Sequence, residues 1–252
     1  RQLSRMKLHL LDGYIQQIYL VEENQQLMLL DGCCRADVDI VLDFITNTLK
    51  LPASNLTAVI VTHMHPDHAG AANEFRKLTG CKVIGANVDG HWYSGIDGFF
   101  MHLTDMALAR WVGKRVGKGK RNVLYPRHLK FDLKLNDGDF VPGFENWQVL
   151  FSQGHTDRDL SVMHLPTKQV YIADLLVTVK GKFIPPFPVF YPNRYRRSIS
   201  RLEQLDVEFV LLAHGGKQPK ANIDVDLINE VAPTEPQTHW RSVKKKLFKS
   251  LS

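Results

Sequence analysis

The hydrophobic positions predict a chain that begins with strands and then alternates strands with helices. Short or alternating apolar segments bounded by turn residues are typical of strands, and apolar residues three and four positions apart are typical of helices. In the first half these patterns predict strands at 6–11, 17–21, 26–31, 56–62 and 82–86, and helices at 36–50 and 69–79. A hairpin turn is expected at Glu23-Asn24, and Gly80 is expected to end the second helix.

The second half continues this pattern. It predicts strands near 128–133, 138–141, 147–152, 160–165, 169–174 and 208–213, and helices near 195–205 and 223–231. Strands that come first in meanders and then alternate with helices predict an α/β fold of two packed sheets with helices outside.

Size and composition agree with a globular enzyme. With 252 residues, of which 44% are hydrophobic, the chain can form one large domain over residues 1–252. No apolar stretch approaches the roughly 20 residues needed to cross a bilayer. Three cysteines without disulfide spacing predict reduced thiols and hence a cytoplasmic protein. Because the sequence begins with Arg1 rather than Met, export after removal of a signal peptide stays an alternative.

One short polar segment carries the clearest chemical signal. After the apolar run 58–61, the residues His63, His65, Asp67 and His68 follow in a His-x-His-x-Asp-His pattern. In a core, each of these side chains would need a hydrogen-bond partner away from water. Imidazole and carboxylate are ligands that suit zinc, iron and manganese, so the segment predicts a metal site.

This segment, with Gly70 behind it, resembles the signature of the metallo-β-lactamase superfamily of metal-dependent hydrolases. The other motifs of that family can be matched in order along the chain, each after an apolar strand. They are Asp31, Gly154-His155-Thr156, Asp174 and His214. The resemblance therefore extends over most of the sequence.

The resemblance implies a four-layer αβ/βα sandwich with a helical insertion and a centre that holds two divalent metal ions. One metal would be bound by His63, His65 and His155. The second would be bound by Asp67, His68 and His214, with Asp67 also a catalytic residue. Asp174 would bridge the two metals, and Asp31 would orient the histidine loop as an outer partner. Zinc is the expected metal, with iron or manganese as alternatives.

The implied reaction is hydrolysis by a hydroxide that bridges the two metals and attacks an ester, thioester, lactone or amide carbonyl. Asp rather than Cys at position 174 points away from the thiolate-containing β-lactamases and toward the glyoxalase II and lactonase branches. The chain departs from many relatives after Gly-His-Thr, where Asp157-Arg158-Asp159 follows. A phosphodiesterase or nuclease of the same fold, or an iron-dependent persulfide dioxygenase, stays an alternative.

Residues 91–128 form the most individual segment, which we interpret as a helical and loop insertion. His91, Trp92 and Tyr93 open it, and apolar residues at helical spacing follow. Between Arg110 and Lys130 there are eight Lys or Arg residues and no acid. The segment is predicted to be either a lid that contacts a small-molecule substrate or a peripheral helix with a solvated loop.

A second basic segment forms the C-terminal extension, residues 233–252. Five of its residues between 241 and 249 are Lys or Arg, and its apolar residues fall on one helical face. We expect this face to pack on the same domain or on a second copy in a homodimer. Contact with nucleic acid or an anionic membrane is the alternative.

A proline-rich loop after Asp174 supplies further candidates. Tyr191, Arg194 and Tyr195 lie there, and loops that follow strands often contact substrate. A tyrosine at this place could donate a hydrogen bond to a developing oxyanion or to a leaving group. The alternative is that these side chains only brace the loop.

Overall fold

The structure is a computed structural model that describes residues 5–238. The chain divides into two compact units, Arg1–Glu145 (unit 1) and Asn146–Ser252 (unit 2), which are described separately. The expected single domain over residues 1–252 stays a prediction. Most of the predicted basic extension, residues 239–252, lies outside the described residues.

Unit 1 contains a mixed sheet of six strands. In order across the sheet they are β1 (Lys7–Asp12), β2 (Gln17–Glu23), β3 (Gln26–Leu29), β4 (Leu56–Ile60), β5 (Lys82–Ala86) and β6 (Leu133–Leu135). The first three strands are antiparallel, whereas β3 to β6 run parallel. Because parallel neighbours end at the same edge of a sheet, Asp31 after β3 lies beside the histidine segment after β4.

Four α-helices accompany this sheet: α1 (Val38–Asp43), α2 (Pro66–Ala69), α3 (Ala72–Thr79) and α4 (Gly95–Arg115). The helix predicted at 36–50 is wrong in its second half, because the backbone widens into a π-helical turn at Phe44–Thr48. The helix predicted at 69–79 is two helices. The first begins earlier, at Pro66, whose ring fixes the backbone angle required in a first helical turn.

The second mixed sheet has six strands, most of which belong to unit 2. In order across the sheet they are β14 (Gly216–Pro219), β13 (Phe209–Leu212), β10 (Gln169–Ala173), β9 (Leu160–His164), β8 (Phe144–Phe151) and the short β7 (Phe140–Val141). A separate hairpin consists of β11 (Val177–Val179) and β12 (Lys182–Ile184), and the helices are α5 (Pro192–Gln204) and α6 (Val225–Val231). Since β10 and β13 are parallel neighbours, Asp174 and His214 leave the sheet at the same edge.

Each unit has its own apolar core. In unit 1 the largest fully buried side chains include Tyr14, Tyr93 and Phe75. In unit 2 the apolar side of α5 packs through Ile199 and Leu202 against strand residues of β10 and β13. The sheets are therefore fixed by hydrophobic burial on the side that faces the helices, which leaves the strand ends to carry polar groups.

The predicted α/β class, mixed sheets with flanking helices, is confirmed. The strand predicted at 128–133 is wrong in position, because β6 begins only at Leu133. The side chain of Asp132 accepts a hydrogen bond from Val83 N at 2.8 Å and so replaces a backbone ladder bond just before that strand. Hairpin β11–β12 and edge strand β14 were not predicted, since these strands have only three or four residues and are too short to show a pattern.

No helix among the described residues combines the length and apolar character needed to span a membrane. The three cysteines, Cys33, Cys34 and Cys81, are all buried in unit 1 and none forms a disulfide. Burial raises the pKa of each thiol, so these side chains act as small apolar groups of the core.

Gly113 tests how tightly α4 packs on the core. A Cβ there would lie 2.0 Å from the ring of Tyr14, which is fully buried and donates its hydroxyl to Gly119 O at 2.6 Å. We expect Gly113→Ala to lower the free energy of unfolding by about 1–3 kcal/mol through overpacking, although alanine is the better helix former. Urea denaturation followed by circular dichroism measures this. The exposed neighbour serves as control, since Lys114→Ala should change stability by less than about 0.5 kcal/mol. Equal effects of the two substitutions would contradict this packing.

Candidate metal centre

The histidine segment forms a tight turn between β4 and α2. His65 is the N-cap of α2 and Pro66 is its first residue, so the helix starts inside the motif. His63, His65, Asp67 and His68 are all buried, with exposed fractions from 0 to 8%. The ring centroids of His63 and His68 are 4.0 Å apart, and those of His63 and His65 are 4.8 Å apart. Three imidazoles thus lie together in space that is closed to bulk water.

Asp31 connects this turn to the end of β3. One carboxylate oxygen accepts hydrogen bonds from Gly32 N at 3.1 Å and Thr62 N at 3.2 Å. The other accepts from Thr62 Oγ1 at 2.8 Å and lies 2.5 Å from His68 Nδ1. A carboxylate partner of this kind fixes the tautomer and orientation of a metal-binding imidazole. These contacts are those expected of the outer partner that the sequence predicts at Asp31.

A hydrogen-bond relay also sets the orientation of His63. Its Nδ1 lies 3.1 Å from Thr62 Oγ1, and that hydroxyl donates onward to Asp31. In both His63 and His68 the Nδ1 atom is therefore engaged, which gives Nε2 the lone pair that could bind a metal. In His68 this Nε2 lies 3.2 Å from a carboxylate oxygen of Asp67. Sequence reasoning missed Thr62, whose only signal is its position directly before the motif.

His65 has a different set of neighbours. Its Nε2 lies 3.7 Å from an oxygen of Asp105, which comes from α4. The same oxygen accepts a hydrogen bond from the hydroxyl of Tyr93 at 2.7 Å. The hydroxyl of Tyr125 donates to Met64 O at 2.6 Å and lies 3.3 Å from the Tyr93 hydroxyl. Asp105 and Tyr125 were not predicted, because no short motif surrounds them.

In unit 2, His155 lies on a strained turn after β8. Gly154 has φ of 147°, and a Cβ there would lie 2.5 Å from the backbone of Tyr195, so only glycine fits. The Nδ1 atom of His155 lies 2.5 Å from Pro188 O and donates to it, so its Nε2 is the atom that could bind a metal.

The residues that follow Gly-His-Thr have a structural explanation. Asp159 accepts hydrogen bonds from both Thr156 N and Thr156 Oγ1 at 2.7 Å each, and all these groups are buried. The same turn carries an ion pair at 2.8 Å between Asp157, which is partly exposed, and Arg158, which is buried. Asp159 therefore closes the turn that positions His155.

Asp174 lies between two histidines of unit 2. One of its carboxylate oxygens is 3.6 Å from His155 Nε2, and the other is 3.6 Å from His214 Nε2. Asp174 and His155 are buried, whereas the side chain of His214 is 31% exposed. Two oxygens that each face a different imidazole are what a carboxylate needs in order to bridge two metal ions.

The residues predicted to contact substrate differ in their accessibility. His91 is exposed and stacks on His128 with ring centroids 4.1 Å apart, and Trp92 is half-buried. Tyr93 and Tyr195 are fully buried, and the hydroxyl of Tyr195 donates to Leu175 O at 2.8 Å. The buried hydrogen bonds of these two tyrosines agree with the alternative in which their side chains brace the structure and do not contact a substrate.

Tyr191 and Arg194 are more open. Both are half-buried, and the Arg194 guanidinium lies 4.6 Å from the centre of the Tyr191 ring. Burial raises the pKa of Tyr191, so its hydroxyl stays protonated at neutral pH and can donate a hydrogen bond. Within unit 2 these two residues stay candidates for contact with a substrate.

The donor set fits divalent metal ions. Histidine nitrogens and aspartate oxygens recur in both units, and within each unit the neighbouring ligand atoms lie within 4.8 Å of one another. The thiols of Cys33 and Cys34 are buried and their pKa is raised, so a thiolate ligand is not part of this set. Such nitrogen and oxygen ligands suit zinc, iron and manganese alike.

Comparison with known proteins identifies the class. The model of the family described as the metallo-beta-lactamase superfamily matches residues 11–214. The chain belongs to the metallo-β-lactamase superfamily, whose members are mostly metal-dependent hydrolases. The resemblance inferred from the sequence motifs is thereby confirmed, and the histidine and aspartate groups described above are its candidate site for divalent metal ions.

Individual relatives are more distant. The chain is 26% identical over 182 residues to a Bacillus subtilis protein named "Probable metallo-hydrolase YqjP", which covers 66% of this chain and 56% of that protein. It is 35% identical over 86 residues to a hydroxyacylglutathione hydrolase of Methylococcus capsulatus, which covers 33% of this chain and 34% of that enzyme. The matched region thus spans little more than half of the first relative and a third of the second.

A solved structure shows the same fold. The archaeal metallo-beta-lactamase superfamily protein ST1585 from Sulfolobus tokodaii aligns with a TM-score of 0.62 over 92% of this chain and 89% of that chain. Its sequence is 18% identical. The likeness confirms the predicted fold of the metallo-β-lactamase type.

The turn that holds His155 can be tested through Asp159. Asp159→Ala removes the acceptor of two buried Thr156 donors, and we expect the free energy of unfolding to fall by about 2–3 kcal/mol. The neighbouring Asp157→Ala removes one ion pair, in which Asp157 is partly exposed and Arg158 is buried, and should cost about 1 kcal/mol, less than Asp159→Ala. Chemical denaturation of both variants measures the difference. If Asp157→Ala proves the more damaging change, the assignment of Asp159 as the residue that closes the turn is wrong.

Proposed function

We propose that the chain is a binuclear metal-dependent hydrolase. One metal ion would be held by His63, His65 and His155. The other would be held by Asp67, His68 and His214. Asp174 would bridge the two ions. The observation that carries this proposal is the position of Asp174, whose two carboxylate oxygens lie 3.6 Å from two different imidazoles.

The number of ligands supports two metals rather than one. Catalytic metal sites typically use three protein ligands and keep one position open. Unit 1 offers three imidazoles and one carboxylate, and unit 2 offers two imidazoles and one carboxylate. With a shared Asp174 these seven groups give each of two metals a full set of protein ligands. The match of the family model across both segments, residues 11–214, supports the same grouping.

The groups that hydrogen-bond to the proposed histidine ligands support the role of these histidines in metal binding and catalysis. When bound, two dications supply a hydroxide nucleophile near neutral pH and polarise the carbonyl oxygen under attack. Asp31 and Thr62 keep the protons of His68 and His63 on Nδ1. Pro188 O does the same for His155. Each ring is therefore preorganised with the opposite nitrogen toward the centre.

The substrate class we favour is an activated acyl compound, that is an ester, thioester, lactone or amide. The local similarity to a hydroxyacylglutathione hydrolase supports an acyl group as the part that is attacked. The protonated hydroxyl of Tyr191 and the guanidinium of Arg194 could donate hydrogen bonds to such a substrate. Zinc is the metal we expect, and the compartment we expect is the cytoplasm, because all three thiols are free.

The proposal is tested by metal analysis combined with a panel of lactones, thioesters, β-lactams and phosphodiesters. Wild-type protein should bind two divalent ions per chain and hydrolyse at least one acyl substrate. Asp174→Asn should lose bound metal and reduce turnover by at least about a hundredfold, because a bridging ligand is removed. Asp206→Asn is the matched control, since Asp206 is exposed and pairs only with Lys168 among the contacts described.

Several results would contradict the proposal. Wild-type protein without affinity for divalent ions would exclude the metal centre, and an Asp174→Asn variant with full metal content and full turnover would exclude the bridge. A single redox-active iron per chain would instead favour the dioxygenase alternative. Hydrolysis of phosphodiesters alone would favour the nuclease alternative.

A further inference from the structure

The long helix α4 reverses the usual arrangement of polar and apolar residues. Its buried side carries His102 and Asp105 together with small residues. The opposite side carries large apolar side chains that face water, which we call the outer face: Ile96, Phe99, Phe100, Leu103 and Trp111. Ile96, Phe100 and Trp111 are 77%, 60% and 55% exposed. An exposed apolar strip of this kind is typical of a surface that interacts with a protein, a membrane or a ligand.

The outer face has the dimensions of a docking surface. Ile96, Phe100, Leu103 and Trp111 follow one another three, four or eight positions apart, and Phe99 lies next to Phe100, so the five residues lie on one side of the helix over about four turns. From Ile96 to Trp111 the strip is about 22 Å long at the helical rise per residue. Exposing these large apolar side chains to water costs free energy. Single exposed leucines are common on protein surfaces, but a strip of five large apolar residues on one side of a helix is not.

Cations of α4 and of the segment that follows it include several that lie beside the outer face. Between Arg110 and Lys130 there are eight Lys or Arg residues and no acid. The Arg115 guanidinium lies 5.2 Å from the centre of the Trp111 ring, and that of Arg127 lies 5.8 Å from the Phe99 ring. Basic groups therefore lie directly against the exposed aromatic rings, and the acidic Asp97 is confined to the first helical turn.

We propose that the outer face of α4 docks on an anionic lipid surface. Aliphatic and aromatic side chains can enter the boundary between headgroups and acyl chains while lysines and arginines contact lipid phosphates. A second copy of the same cationic surface would be repelled. Nucleic acid would bind the cations but would gain little from Ile96 or Leu103. No described helix is able to span a bilayer, so the contact would be peripheral.

Cosedimentation of the full chain with lipid vesicles tests this inference. Binding is expected to vesicles of phosphatidylcholine and phosphatidylglycerol, to be much weaker with phosphatidylcholine alone, and to decrease with salt. Phe99→Ser with Phe100→Ser should weaken binding at least about tenfold through lost apolar burial. Arg110→Gln, Lys114→Gln and Arg115→Gln should each weaken it about fivefold.

Matched controls test whether weaker vesicle binding is specific to the outer face or follows the loss of any exposed leucine or lysine. Leu78→Ser removes an exposed leucine from α3, and Lys134→Gln removes an exposed lysine from β6. Neither should change vesicle binding. The inference is overturned if the phenylalanine variants bind vesicles as the wild type does. It is also overturned if wild type ignores lipid but binds DNA, or if the outer-face variants only convert a dimer to a monomer in ultracentrifugation.

A second inference comes from the buried side of α4 and rests on the proposed function. The geometry points to Asp105 as a positioning residue for His65, whose Nε2 is 3.7 Å from the Asp105 carboxylate. His65 differs from His63 and His68 because the hydrogen bonds of Asp31 and Thr62 do not reach its ring among the contacts described. Asp105 comes from another element of the fold and places a negative charge beside His65 that is separate from that of Asp31.

One tyrosine holds this carboxylate in place, and a second holds the backbone beside His65. Tyr93 donates to it at 2.7 Å, and burial raises the pKa of Tyr93, so the hydroxyl stays a donor. Tyr125 fixes the other side by its hydrogen bond to Met64 O, the backbone next to His65. A buried carboxylate with a dedicated donor and an imidazole neighbour is the arrangement that tunes a metal-binding histidine from outside.

The test compares Asp105→Asn with Asp97→Asn, a change in the exposed first turn of the same helix. Asp105→Asn keeps the size of the side chain and should weaken binding of one metal ion about 10- to 100-fold in competition with a chelator. Asp97→Asn should leave metal affinity unchanged, and Asp105→Glu should restore part of it.

The denaturation midpoint of metal-free protein separates positioning from structure. If Asp105→Asn lowers only this midpoint and leaves metal affinity as in the wild type, Asp105 is structural and the inference is wrong. If the wild type itself binds no metal, the proposed function fails instead, and the two failures are thus distinguished.

Discussion

The carboxylate of Asp31 ties together the ends of two parallel strands, and the arrangement of unit 1 at that edge depends on it. It accepts hydrogen bonds from the backbone of Gly32 and Thr62, from the Thr62 hydroxyl, and from the imidazole of His68. A buried carboxylate is tolerated only when such donors compensate its desolvation. The same bonds fix the tautomer of His68 and, through Thr62, that of His63. The Asp31 carboxylate therefore serves both the stability of the fold and the orientation of the histidines in the site.

Unit 2 uses a different device for the same purpose. Backbone geometry positions His155, because Gly154 allows a turn that no other residue could adopt and Pro188 O fixes the ring. Asp174 then faces His155 and His214 with separate oxygens. A carboxylate whose two oxygens face imidazole nitrogens that carry lone pairs favours a cation placed among them. This is the physical reason why the donor set fits divalent cations.

The two sides of α4 give the chain its individual character. One side brings Asp105 to the histidine segment, whereas the other exposes Phe100 and Trp111 to solvent. The sequence pattern predicted a helical segment here, either a lid or a peripheral helix, without showing which of its residues are buried. The small residues, including Gly113, in fact face the core, because the ring of Tyr14 leaves no room for anything larger. Periodicity alone could not reveal which side of the helix is buried.

The residues of the motifs and the order of strands and helices were determined by the sequence itself. An apolar strand followed by clustered His and Asp is a local pattern, and local patterns survive in the fold because hydrophobic burial fixes the strands. Partners distant in sequence were decided only by the tertiary structure. Thr62 lies beside Asp31 because two parallel strands end at the same edge of the sheet, and Asp105 lies beside His65 because of the path of α4. Such contacts depend on how elements pack, and no spacing along the chain encodes them.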